Sequence, residues 1–184
     1  MTTPQVLPGD FGLLHNRGPV DKLIGAAEVV DELVQGRGWT RSSRDALYRH
    51  AFGVERVDAD GTVHAVEAWP SGARRHTYRL DDPAILWSSG HFDLTDGQRR
   101  QIVAWWVDHL GAGYAWDAYL RQAAVRLRVP FAASALARQI EERHEFICSQ
   151  WIDCGWQAGS YPLFADRRAP YDVAPSDLAD LLGA

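Results

Sequence analysis

This 184-residue chain has almost no lysine, no excess of positive charge and no long apolar run. Lys22 is the only lysine among 19 basic residues, and 24 acidic residues bring the formal net charge to -5. That balance argues against general affinity for nucleic acid or anionic membranes. No run approaches the roughly 18 apolar residues of a membrane helix. The segment Met1–Gln5 lacks a positive region followed by an apolar run, so we expect no signal peptide and a cytoplasmic protein.

Cysteine is nearly absent as well, since only Cys148 and Cys154 occur, and this fits a reducing compartment. The two lie on one predicted helix and project roughly 240° apart, with about 9 Å of rise between them. A disulfide between them would require unwinding of that helix. A composition of 46% apolar and 23% charged residues is typical of a globular protein. The length predicts a single domain over residues 1–184.

Hydrophobic periodicity predicts strands early in the chain and helices later. Residues 8–14 are predicted to form a turn that enters a short strand, and the further predicted strands are residues 50–57, 62–69, 74–80 and 84–88. The predicted helices are residues 20–35, 96–110, 115–128, 133–145, 148–158 and 176–182. We interpret residues 20–48 as a helical insertion ahead of the second strand. Strands followed by helices predict an α+β fold with a mainly antiparallel sheet.

Cys148 lies where its helix is predicted to begin. The apolar positions that recur at helical spacing start just after it, with Trp151, Ile152 and Trp156. A thiol in the first turn of a helix faces unpaired backbone N–H groups and the positive end of the helix dipole, which favour the thiolate. The same N–H groups can hold an oxyanion. Cys148 is therefore a candidate nucleophile, and the alternative is a small buried core residue.

A nucleophilic cysteine needs a base, and His50 and Glu67 lie on two strands joined by a predicted turn at residues 58–61. A four-residue loop would pair Val57 with Thr62 and place His50 and Glu67 on one face as diagonal neighbours. A loop of three residues would place them on opposite faces. On a shared face, Glu67 can orient the imidazole and balance its charge. The alternative is that His50 is a core histidine.

A zinc site is the competing interpretation of the region around the cysteine. His144, Glu145 and Cys148 have part of the spacing of a zinc-binding helix, but no third ligand is apparent. Neither a Gly-rich phosphate loop nor a C-x-x-C pair occurs. We expect no metal and no cofactor.

Four motifs occur in an order that resembles a known family. They are Pro8-Gly9-Asp10, the strand His50-Ala51-Phe52-Gly53-Val54, the segment Glu67-Ala68-Trp69-Pro70-Ser71-Gly72, and Ile147-Cys148-Ser149-Gln150. The set is similar to the circularly permuted papain-like cysteine hydrolases of the NlpC superfamily, in the YiiX- and YebB-like branch with its phage and actinobacterial members. The resemblance covers about residues 8–182. It departs from the pattern at Arg49, where a serine is more usual, and in the longer segment 25–48.

The resemblance implies a permuted papain-like fold, in which an antiparallel sheet packs against the helix that carries the cysteine. It implies Cys148 as nucleophile, His50 as base and Glu67 as third polar residue. Residues expected to contact substrate are Trp69, Arg49 and Gln150. The implied function is cleavage of an amide bond in a peptide or peptidoglycan fragment. Two alternatives stay open: a thiol-dependent lipid acyltransferase or deacylase, and a catalytically silent binding or phage structural module.

Overall fold

The structure is a computed structural model that describes residues 5–15, 48–115, 145–166 and 168–184. The predicted helices at 20–35, 115–128 and 133–145 lie outside these ranges except at an end residue. The proposed insertion at 20–48 also lies outside them, apart from Tyr48, which belongs to a strand. Glu145 begins a short strand instead of ending a helix.

The described residues form seven strands, three α-helices and one 3-10 turn. The strands are β1 (Phe11–His15), β2 (Tyr48–Val57), β3 (Thr62–Glu67), β4 (Arg74–Arg79), β5 (Ile85–Trp87), β6 (Gly113–Tyr114) and β7 (Glu145–Phe146). The helices are α1 (Asp96–Asp108), α2 (Cys148–Ala158) and α3 (Pro175–Leu181), and the 3-10 turn is Pro170–Asp172. This is an α+β arrangement, as the sequence predicts.

The first five strands form one antiparallel sheet in the order β4-β3-β2-β1-β5. Strands β6 and β7 make a separate parallel pair, and β7 comes directly before α2. The capping residue of α1 is Thr95, whose side chain accepts a hydrogen bond from the backbone N–H of Gln98, while the Gln98 side chain accepts one from the backbone N–H of Thr95. This reciprocal box fixes where α1 begins. No helix in the described ranges is long and apolar enough to cross a membrane.

Trp106 joins α1 to both β2 and α2. It is fully buried, and its Nε1 donates to the backbone oxygen of Trp151 at 3.0 Å. A Cβ at Gly53 would lie 2.5 Å from the Trp106 ring, and a Cβ at Gly155 would lie 2.2 Å from its Nε1. Only glycine at these two positions lets the indole fit between strand and helix. This packing holds α2, and therefore its first residue, against β2.

The Pro-Gly-Asp motif has a structural role. Asp10 is buried, accepts a hydrogen bond from the backbone N–H of Leu7 and pairs with Arg99 Nη1 at 2.8 Å. Gly9 has a φ of 89°, a conformation that favours glycine. Arg99 also donates to the backbone oxygen of Pro8. The motif thus fastens the start of β1 to the first turns of α1.

Candidate active site

The β2–β3 hairpin places His50 and Glu67 on the same face by a route that the sequence did not predict. Val57 pairs with Val63, so five residues, 58–62, separate the partners, instead of four. That register alone would put His50 and Glu67 on opposite faces. A β-bulge between Val54 and Arg56 shifts the register by one residue, and Gly53 pairs with Val66. Continuation of this register restores the predicted same-face arrangement.

His50 and Glu67 form a direct hydrogen-bonded pair. His50 Nε2 lies 2.7 Å from Glu67 Oε2. The Glu67 side chain is fully buried, whereas the His50 side chain keeps 13% of its surface exposed. The predicted same-face placement is confirmed by this contact. His50 also makes a side-chain hydrogen bond with Cys148. Because Nε2 is occupied by Glu67, the ring nitrogen left for the thiol is Nδ1.

Two residues of the neighbouring strand complete the shell around the carboxylate. Arg74 Nε donates to Glu67 Oε1 at 2.8 Å, and the Tyr78 hydroxyl donates to Oε2 at 2.7 Å. Tyr78 also stacks on Phe52, with ring centroids 4.0 Å apart. The carboxylate therefore has donors on both oxygens, as a buried charge requires. Its orientation toward His50 is fixed from the β4 side.

The protonation behaviour of the pair follows from these contacts. Burial alone would raise the pKa of Glu67, but the hydrogen bonds and charge of His50, with those of Tyr78 and Arg74, lower this pKa to about 2. Burial alone would lower the pKa of His50, but Cys148 and Glu67 raise this pKa to about 9. Burial and the adjacent Glu67 carboxylate raise the pKa of Tyr78, which keeps its proton as a donor. A charged imidazolium beside a carboxylate is the state that these contacts favour at neutral pH.

Cys148 is the first residue of α2, as the sequence predicts. Ile147 before it is extended, with φ -90° and ψ 164°, and the backbone N–H of Trp151 closes the first helical turn on the Ile147 oxygen. The cysteine is only 1% exposed and belongs to the core cluster between sheet and helices. Cys154 is partly buried, and burial raises its pKa to about 12. Of the two thiols, only Cys148 contacts a histidine side chain among the described residues.

The three residues predicted to bind substrate have different positions. The Trp69 ring lies edge to face against His50, with centroids 5.0 Å apart, and the Arg74 guanidinium lies 4.3 Å above it. Gln150 is 6% exposed, and its Oε1 accepts from the backbone N–H of Ile147 at 3.4 Å, so it helps to cap α2. The side chain of Arg49 lies outside the described residues. Of the two whose side chains the structure describes, Trp69 is the one in ring contact with His50.

Arg74 and Tyr78 are site residues that sequence reasoning missed. Arg74 and Arg75 are adjacent in sequence, yet only Arg75 lies on the exposed side of the sheet, where it forms an ion pair with Glu55. The pairing of β3 with β4 identifies Arg74 as a site residue, because Arg74 lies directly opposite Glu67 in that ladder. Directly opposed residues share a face.

The zinc interpretation gains no support from the described ranges. His144, one of its three residues, lies outside them, and Glu145 is in β7. Among the residues the structure describes, no group of three or more histidine, cysteine and acidic side chains is placed to hold a metal ion.

No model of a known protein family, no curated protein and no solved structure matches this chain. A function for the protein therefore has to be inferred from the geometry of the site.

Proposed function

We propose that this protein is a cysteine hydrolase that cleaves an amide bond through an acyl-enzyme. The observation that carries the proposal is the continuous hydrogen-bonded chain from Cys148 through His50 to Glu67. Nucleophile, base and orienting group within hydrogen-bond reach of one another are the arrangement that covalent catalysis needs. The raised pKa of His50 and the lowered pKa of Glu67 support the same roles.

In this mechanism Cys148 Sγ attacks the carbonyl carbon, and the carbonyl π electrons move to the oxygen. The first-turn N–H groups of α2, which point out of the start of the helix, stabilise the oxyanion. His50 gives its proton to the leaving amine as the C–N bond breaks, which leaves a thioester on Cys148. His50 then takes a proton from water, and the resulting hydroxide attacks the thioester. The C–S bond breaks, the acid leaves, and the thiolate and imidazolium return.

The fold that we propose for this site is the permuted papain-like one. Its support is the antiparallel sheet against which α2 packs, with the cysteine at the helix start and the histidine on a strand. The order of the four motifs supports the same relationship. We propose the NlpC superfamily on these grounds.

The chemistry of the described surface favours a peptide or peptidoglycan-type amide over a lipid. A lipid-directed enzyme needs a contiguous apolar surface beside its nucleophile. Among the described residues, the large apolar side chains that are well exposed are Leu7, which precedes β1, and Leu80, which follows β4. The groups that border the site are instead Trp69 and the partly exposed Arg74.

A second candidate is a binding module that keeps the fold without hydrolysis. The 1% exposure of Cys148 favours it, because an attacking sulfur must come within about 3–3.5 Å of the carbonyl carbon. A substrate has to displace covering side chains before it reaches Sγ. In a binding module Cys148 stays buried, and no substrate carbonyl reaches Sγ.

The experiment is a parallel screen of small peptides, peptidoglycan fragments and acyl lipids with the intact chain, with mass spectrometry to detect the thioester on Cys148. Cys148→Ala should abolish hydrolysis, and His50→Ala should reduce it by about 10²–10⁴-fold. Glu67→Gln should be milder, and the His50→Ala, Cys148→Ala double variant should lose no more than Cys148→Ala alone. Cys154→Ala is the matched control and should keep its activity. Full activity of Cys148→Ala would overturn the proposal, whereas specific binding without turnover would support the module.

A further inference from the structure

We infer that Arg74 is a positioning residue that acts on His50 through Glu67. This inference rests on the proposed function, in which Glu67 orients the imidazole. It concerns a residue outside the three expected catalytic groups.

The geometry gives Arg74 one contact that no other described residue duplicates. Arg74 Nε donates to Glu67 Oε1 at 2.8 Å, while Oε2 receives both His50 and Tyr78. A carboxylate held at one oxygen can rotate about its last bond, whereas donors on both oxygens fix its plane. Arg74 therefore keeps Oε2 directed at His50 Nε2.

A second contact, with the Trp69 ring, holds the Arg74 guanidinium beside Glu67. The Arg74 guanidinium lies 4.3 Å from the centre of the Trp69 ring, and Trp69 lies edge to face on His50. Cation–π contact favours this stacking, and a planar guanidinium can stack and donate at once. The indole thus holds the Arg74 guanidinium in place, and Arg74 acts on His50 through the Glu67 carboxylate.

The charged and titratable groups that face the pair in the described part of the chain are few. Cys148 faces His50 from α2, and Arg74 and Tyr78 face Glu67 from β4, where the exposed His76 lies between them and contacts the Tyr78 ring. Arg75, the next residue along β4, projects away and pairs with Glu55. Arg75 is therefore a matched control with the same residue type, strand and ionic partner type, but without contact with Glu67.

The inference predicts a specific change in the titration of His50. Without Arg74 the carboxylate is less well aimed, so the imidazolium loses part of its stabilisation and His50 titrates at lower pH. Glu67→Gln removes the charge itself and should lower the titration midpoint by about 1–3 units. Arg74→Gln should produce a smaller shift in the same direction. Arg74→Lys, which keeps the charge but lacks the planar fork, should restore only part of the wild-type value.

The test is NMR titration of the His50 ring in wild type, Arg74→Gln, Arg74→Lys, Glu67→Gln, Arg75→Gln and the Arg74→Gln, Glu67→Gln double variant. Because Arg74 acts through Glu67, the double variant should match Glu67→Gln alone. Arg75→Gln should leave the midpoint unchanged. Additive shifts in the double variant, or equal shifts from Arg75→Gln and Arg74→Gln, would overturn the inference.

Kinetics on a substrate found by the screen give the second measurement. Arg74→Gln should lower kcat with little change in KM, since a positioning residue does not touch substrate. A change in KM alone would mean that Arg74 binds substrate directly, and it would overturn the positioning role. Failure of the proposed hydrolase would appear instead as wild-type protein without turnover, while the NMR titration would still decide the role of Arg74.

Discussion

Replacement of Glu67 by glutamine should remove most of the pH dependence of folding stability that the His50–Glu67 pair creates. The substitution keeps the size of the side chain but presents an amide to three donors, from His50, Arg74 and Tyr78. One carboxamide oxygen cannot accept from all three, so donors lose their partner in a fully buried place. Breaking a buried ionic network in this way costs about 3–5 kcal/mol.

The pKa of Glu67 gives the same magnitude independently. Its pKa falls from an ordinary 4.5 to about 2 in the folded protein. At about 1.36 kcal/mol per pH unit, that difference corresponds to about 3 kcal/mol, since the side chain is fully buried. Because the folded pKa is depressed, this stability is present above pH 4.5 and is lost as the pH falls toward 2.

The pKa of His50 sets the pH dependence of the same ion pair on the alkaline side. Its pKa rises from 6.5 to about 9, so its contribution is complete below pH 6.5 and is lost as the pH rises through 9. The two energies describe one interaction and are not added. The contribution of this pair to stability should therefore be largest between about pH 4.5 and 6.5 and fall on both sides.

The assay is urea unfolding followed by tryptophan fluorescence between about pH 3 and 10, for wild type, Glu67→Gln and Glu55→Gln. Glu55 pairs with Arg75 on the exposed side of the same sheet, so its loss should cost less than about 1 kcal/mol. Glu67→Gln should lower the free energy of unfolding by about 3 kcal/mol near pH 6, and the difference from wild type should shrink toward pH 3 and toward pH 10. Parallel pH curves for wild type and Glu67→Gln would refute the reasoning.

Two further predictions concern packing and the tyrosine donor. Gly155→Ala should lower the free energy of unfolding by about 1–3 kcal/mol, because its Cβ would collide with Trp106. Gly97→Ala in α1, where the new Cβ meets nothing closer than 3.8 Å, should instead stabilise by about 0.5–1 kcal/mol. Thermal unfolding of both variants checks the pair, and equal destabilisation would contradict it. Tyr78→Phe should cost about 2 kcal/mol in urea unfolding while the Phe52 stacking persists, and no loss would show that its hydroxyl does not support Glu67.

The elements nearest the site were predictable because their signals are local. The apolar period after Cys148 marks the start of α2, and the Thr95 cap marks the start of α1. Alternation along β3 places Glu67 on the face that carries the pair. The α+β class followed from the order of these elements.

The hairpin register was not predictable in the same way. The same-face placement of His50 and Glu67 is right, but the four-residue loop on which it was based is wrong. The five-residue connection and the bulge at Glu55 offset each other, and neither has a strong sequence signal. Bulges depend on tertiary packing of the sheet, which a single strand pattern does not contain.

The role of Arg74 depends on pairing between two strands, which neither strand's own sequence contains. Arg74 and Arg75 look alike in sequence, yet alternation along β4 directs the partly exposed Arg74 to the buried Glu67 and Arg75 to an exposed pair with Glu55. Only the register of β3 against β4 tells them apart.

The most direct test of the central claim is the pH dependence of thiol alkylation in the folded protein, mapped to Cys148 and Cys154 by mass spectrometry. Iodoacetamide should modify Cys148 faster than Cys154 at pH 7, since burial holds the pKa of Cys154 at about 12 whereas Cys148 contacts His50. In His50→Ala the Cys148 rate should fall at pH 7 and rise only near the ordinary thiol pKa of about 8.5. A Cys148 that reacts only after denaturation, or one whose profile is the same in His50→Ala, would contradict the nucleophile assignment.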